Sequence, residues 1–118
     1  MVALGNETAG AFTNDEDGLL SQLQKASKRS FEAIWHMPIT SEHRTAIKCP
    51  YGDISNLGNA GRFGGASTAA AFLECFVEKD VKWCHLDIAG PAMAKAAKPP
   101  ICADQTGFGA SLLLHFLS

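Results

Sequence analysis

The chain has 118 residues, 47% of them hydrophobic, with 10 lysines and arginines against 12 aspartates and glutamates. That length holds one domain with one core, the hydrophobic share argues against disorder as the main state, and a net charge of -2 argues against a nucleic-acid partner. No apolar run approaches the roughly 20 residues of a membrane helix. The start, MVALGNETAG, lacks the charged lead and apolar middle of a signal peptide, so a cytoplasmic protein without a membrane partner is expected.

In chain order, residues 1–5 open in apolar sequence without a polar lead-in and read as the tail of an element. Ala9 to Thr13 (AGAFT) predicts a strand that runs into a helix cap at Asn14, with Asp15, Glu16 and Asp17 as acids in the first turn. Leu19, Leu20, Leu23 and Ala26 form one apolar stripe, leaving Gln22, Gln24, Lys25 and Lys28 outside it, which predicts a one-sided surface helix. The basic cluster Lys25, Lys28, Arg29 belongs to that solvated face. FEAIWHMPI predicts an extended stretch, because Pro38 forbids a helix through its end. Thr40 or Ser41 then caps a short helix through Ile47, closed by Pro50. The span 51–65 carries five glycines and predicts a long loop of the kind that often holds function.

The centre of the chain is a glycine-rich loop (GRFGGAS), a small-residue helix (TAAAFLECFVEK) and an apolar strand (VKWCHLDIAG). From Ala66 to Val77 nearly every position is apolar or small, which predicts a helix covered on several sides. Val81, Trp83, Leu86 and Ile88 sit in a segment too short for an independent helix, predicting a strand buried on both faces as in a parallel sheet. Residues 90–109 are a second long connection. Ala110 to Leu117 predicts a closing helix with Leu112, Leu113, Phe116 and Leu117 on one face. The order is that of an α/β layer fold with too few strands for a complete sheet, so the C-terminal part of a larger domain is expected.

Candidate chemistry is sparse. The cysteines at 49, 75, 84 and 102 form no CxxC pair and read as reduced thiols, Cys75 and Cys84 as small hydrophobes. Asn6-Glu7-Thr8 matches a glycosylation acceptor but has no secretory route to support it. With no HExxH or CxxC, the histidines and cysteines do not have metal-ligand spacing. His85 reads as a core histidine and His115 as a surface one. The loop from Gly61 to Ser67, with Arg62 and a helix start behind it, could cradle an anion; it lacks a Walker lysine and GxGxxG spacing, and glycines that let the helix start against a neighbouring backbone are the simpler account. Asp53 and Asp87 could face one site as a carboxylate pair, or Asp87 could anchor loop backbone instead. No GxSxG elbow is present for a serine nucleophile.

GDISNLGNAGRFGGASTAAAFLECFV followed by KWCHLDIAG resembles the C-terminal end of the leucyl aminopeptidase (cytosol aminopeptidase) family. The likeness extends upstream through VALGNETAGAFTND and IWHMPI and downstream to TGFGASLLLHFL, covering essentially the whole chain. It implies residues 1–118 of a three-layer α/β/α zinc-exopeptidase-like catalytic domain. The activity implied is that of a cytosolic hexameric metallo-exopeptidase that takes peptide substrates and uses two divalent metal ions, zinc or manganese. The family's metal ligands and catalytic residues lie upstream of the matched region, so no catalytic or metal-ligating residue is carried over, and the chain alone is expected to bind no metal and to be inactive. By position in DISNLG, Leu57 matches a residue lining the pocket for the residue after the scissile bond. Ala89 and Ala92, in and after DIAG, match residues lining the pocket for the N-terminal side chain. The mammalian-type pattern has methionine at the place of Ala92, which implies a roomier wall here. GDIS for ADxx, Cys84 for alanine and the insertion-like PPICAD depart from the family pattern. Two other readings stand beside this one: a non-catalytic assembly module of the same family, and an anion-binding domain using Gly61 to Ser67.

Overall fold

Strand β1 (Thr8–Thr13) is the axis of the fold. Its small residues let neighbours approach closely, and Ala9, Gly10, Ala11 and Phe12 are all buried. Successive strand residues point to opposite faces, so four consecutive buried positions mean cover on both. The computed structural model describes residues 1–59, 61–97, 101 and 103–118.

β2 (Ala33–His36) lies parallel to β1, pairing from Thr8 with Ala33 to Ala11 with His36. β3 (Cys84–Asp87) lies antiparallel on the other side, pairing Gly10 with Asp87 through Thr13 with Cys84, so the sheet order is β2-β1-β3. This corrects the expectation of a doubly buried parallel strand over 81–89: the strand is shorter, antiparallel, at the sheet edge and half-buried throughout. An apolar run reports shielding and carries no information about direction. Direction here is set by side chains at the end of β1. Thr13 Oγ1 donates to the Trp83 carbonyl at 2.6 Å, Asn14 Nδ2 donates to the Val81 carbonyl at 2.8 Å, and the Trp83 N–H donates to Asn14 Oδ1 at 2.8 Å. The Asn14 amide thus stands in for a peptide unit beside residues 81–83.

Asn14 is therefore not the helix cap. Asp15 is, its carboxylate accepting from the Gly18 and Leu19 N–H groups at 3.3 and 2.9 Å. Lys82 Nζ, 2.9 Å from Asp15 Oδ2, and the Leu19 N–H hold this carboxyl below its ordinary value. A π-helical turn (Glu16–Leu20) leads into α1 (Ser21–Ser30), which buries Leu23 and Ala26 in line with Leu20 and exposes Gln22, Gln24, Lys25 and Lys28, as the stripe predicts. α4 (Ala110–Leu117) packs against α1. Its start is held by Glu32, whose carboxylate accepts from the Gly109 N–H at 3.1 Å and the Leu112 N–H at 2.6 Å. Leu112 is fully buried, but Leu113 and Leu117 are exposed, so the four residues expected on one face divide between two. His115 is half-buried, its Nδ1 bonded to the Ser111 carbonyl.

α2 (Ser41–Ala46) begins at Thr40, as expected, with the Thr40 N–H donating to His43 Nδ1 at 3.0 Å. α3 (Gly65–Glu74) packs on α2, β1 and β3 through Ser67, Thr68, Ala70 and Ala71. Its other sides, with Leu73 and, beyond its end, Phe76, are exposed, so among the described residues the apolar helix is covered on one side and not on several. The Arg44 guanidinium joins α2 to α3 by paired bonds to Glu74, at 2.7 and 3.0 Å. β4 (Met93–Ala94) and β5 (Asp104–Gln105) form a two-stranded ribbon before α4. Among the described residues no helix is long and apolar enough to cross a membrane.

Candidate functional site

Leu57 stands at the apex of an arch built on the end of α2. The Ser55 N–H donates to the Ile47 carbonyl at 2.7 Å, and the Asn59 N–H donates to the Ala46 carbonyl at 2.9 Å. Lys48 and Ile54 form an isolated bridge between the two legs. The two feet of the arch are thus fixed to successive carbonyls, and Leu57 projects from it, 85% exposed. Gly58, beside it, has φ +64 and rests on Thr68 of α3. Sequence reasoning counts Gly58 among five loop glycines; it shares a positive φ with Gly61 and Gly64, and the close approach to Thr68 and Ala46 is what separates it from the others.

Ala89 and Ala92 lie on the turn after β3. Asp87 Oδ1 accepts the Ala89 N–H at 3.0 Å, and the Ala92 N–H donates to the Ile88 carbonyl at 2.9 Å. Thr106 clasps this turn from the far side, its N–H donating to the Ala92 carbonyl at 3.0 Å and its hydroxyl to the Pro91 carbonyl at 2.6 Å. Gly90 is buried directly against the Gly5 carbonyl, where any Cβ would overlap the oxygen. Ala89 is exposed and Ala92 half-buried. The structure therefore fixes two separately braced turns, one presenting Leu57 and the other Ala89 and Ala92.

The remaining candidates separate. Asp53 lines a cleft of about 760 Å³ between residues 49–56 and the side chains of Phe72, Cys75 and Phe76. Asp87 does not line that cleft and serves as the backbone anchor of the Ala89 turn. His85 stacks on Phe12 at 5.8 Å and on Trp83 at 6.4 Å, and burial lowers its pKa against the opposing pull of Asp87. Burial also pushes the Cys84 thiol up to about 11, so it is an inert thiol. Cys75, expected among the small hydrophobes, is exposed at the end of α3. Cys102, with residues 60 and 98–100 of the loop readings, lies outside the described residues.

At residues 61–67, Arg62 is exposed and α3 starts from Gly64 without a side-chain cap. Among the described residues no three His, Cys, Asp or Glu side chains come together in a group that could hold a metal ion.

Both braced turns fall within the span matched by one family of known proteins. The family described as "Cytosol aminopeptidase family, catalytic domain" matches residues 1–114. A probable cytosol aminopeptidase of Aquifex aeolicus (strain VF5) is 46% identical over 118 residues, which is 99% of this chain and 23% of the relative. One from Chloroherpeton thalassium is 44% identical, over 99% of this chain and 22% of its own length. Among solved structures, a mutant tomato leucine aminopeptidase superposes with a TM-score of 0.87 at 38% identity, covering 99% of this chain and 22% of that one. The bottromycin maturation enzyme BotP in complex with Mn superposes with a TM-score of 0.90 at 33% identity, covering 98% of this chain and 25% of that one. The chain thus spans about a quarter of the length of the proteins it matches. Across the span that it does cover, the chain belongs to the catalytic domain of the cytosol aminopeptidase family.

Proposed function

We propose that this chain supplies pocket wall and scaffold to a dinuclear metal-dependent aminopeptidase that removes leucine and similar residues from the N-termini of peptides. In this reading the enzyme is cytoplasmic and hexameric, and its two zinc or manganese ions are held by residues outside these 118. The observation that carries the reading is the family match across residues 1–114. The structural likeness to a leucine aminopeptidase, and to a relative solved with Mn, supports it. Because the side chains of the described residues do not form a metal-binding group, no hydrolytic step is assigned to them. Their part is recognition: Leu57 borders the residue after the scissile bond, and Ala89 and Ala92 border the N-terminal side chain.

The test is hydrolysis of leucinamide with added manganese or zinc by the 118-residue chain and by a longer form that includes the upstream segment. Cleavage by the longer form alone supports the reading; chelator-sensitive cleavage by the 118-residue chain alone refutes it. Ala92→Met tests the pocket wall. Narrowing the space at Ala92 lowers kcat/KM for bulky N-terminal residues by about tenfold relative to alanine. An unchanged preference removes Ala92 from the pocket.

A further inference from the structure

We infer that Gly58 and Thr68 form a positioning contact that sets the height of Leu57, and so the selectivity for the residue after the scissile bond. The inference rests on the reading of Leu57 given above.

The geometry comes from three sides. Gly58 has φ +64, a conformation that side chains rarely adopt. A Cβ at Gly58 would stand 2.7 Å from Thr68 Cγ2 and 3.2 Å from the Ala46 carbonyl oxygen. The chain next to it is already tied down, through Asn59 to Ala46 and through Ser55 to Ile47. The backbone following Leu57 therefore lies close against the γ-methyl of Thr68, with no room for a side chain at Gly58. Thr68 is itself fixed: it is buried, and its N–H donates to the Gly64 carbonyl at 3.0 Å.

The Thr68 hydroxyl identifies which part of the side chain acts. Among the described residues its Oγ1 is buried without a hydrogen-bond partner. A hydroxyl that bonds nothing contributes no bond to the contact, whereas the methyl is the atom that Gly58 meets. Valine should therefore replace Thr68 and serine should not, the reverse of what a hydrogen-bonding role would give. A displacement of the wall on the scale of a methyl group is large for a binding pocket, where misplacement by an ångström is costly.

The experiment uses the full-length, metal-loaded enzyme and reads one ratio: kcat/KM for Leu-Phe over kcat/KM for leucinamide, which has no residue after the scissile bond. Gly58→Ala is expected to lower the ratio by about tenfold, mainly through KM for Leu-Phe. Adding Thr68→Ser, which removes the opposing methyl, should restore part of it, the strain of φ +64 and the Ala46 carbonyl remaining. In the otherwise native protein, Thr68→Val keeps the ratio and Thr68→Ser lowers it about threefold. An equal loss on both substrates, absence of rescue in the double variant, or identical behaviour of Thr68→Val and Thr68→Ser overturns the inference. If Gly58→Ala does not yield folded protein, the pair of Thr68 variants decides. Leu57→Ala separates the two levels: a ratio that ignores Leu57→Ala removes Leu57 from the pocket, whereas a ratio that responds to Leu57→Ala but not to Gly58→Ala overturns the positioning contact alone.

Discussion

The half built from β1, α1 and α4 and the half built from α2, the arch and α3 close their surfaces differently. In the first, Phe12 and Leu112 are fully buried, α4 is capped by Glu32, and the apolar stripe of α1 is covered. In the second, apart from Ile47, the buried apolar residues are small, Ala46, Ala70 and Ala71, while Leu57, Leu73 and Phe76 face outward. The first half is held by apolar volume, and the second by backbone bonds and close approach. Stability should therefore reside in the first and adjustable recognition in the second.

Truncation of aromatic residues gives the widest separation. Phe12→Ala should cost about 3–5 kcal/mol in urea unfolding followed by circular dichroism, through lost burial and the cavity left behind. Phe76→Ala, at a side chain 69% exposed, should stay within about 0.5 kcal/mol. Equal costs would erase the distinction between the halves. Glu32→Gln sharpens it next. The amide keeps one acceptor for two N–H groups and loses the charge that favours a helix start, so a loss of about 1–2 kcal/mol is expected by the same measurement.

His85 adds a pH dependence to the first half. Its folded pKa lies below the ordinary 6.5 because burial disfavours the imidazolium. The unfolded chain therefore binds the proton more readily. The stabilising contribution is fully present above 6.5 and is lost as pH falls through the lower folded value. Unfolding midpoints measured across that window should decline with acid, and His85→Phe should flatten the decline; a parallel decline in the variant would place the titrating group elsewhere. Another small effect belongs to the second half. Arg44→Ala removes a paired but half-exposed link between α2 and α3 and should cost no more than about 1 kcal/mol, less at high salt.

The features legible in the sequence are those with local causes. The strand before Asn14, the stripe from Leu20 through Ala26, the cap at Thr40 and the glycine loop all follow from neighbours a few residues apart. What was not legible depends on partners far along the chain. Asn14 and Asp15 are both good caps, and the choice between them is made by Val81, Trp83 and Lys82. Glu32 caps a helix 77 to 80 residues away and has no local signature. α4 is apolar on nearly every side, so its pattern could not reveal which leucine meets α1. At the candidate site, Leu57, Ala89 and Ala92 are legible only through a family resemblance. Gly58 and Thr68 came from geometry, because no spacing rule links a loop glycine to a particular threonine of the following helix.

The Asn14 amide, which completes the sheet beside residues 81–83, has a chemical lifetime that a backbone peptide in that place would not have. Deamidation would exchange its Nδ2 donor for an oxygen, set that acceptor against the Val81 carbonyl, and place a second carboxylate next to Asp15. Damage to one side chain would thereby open the end of β3, so aged protein should first fray at this edge, with the β1–β2 pairing left intact.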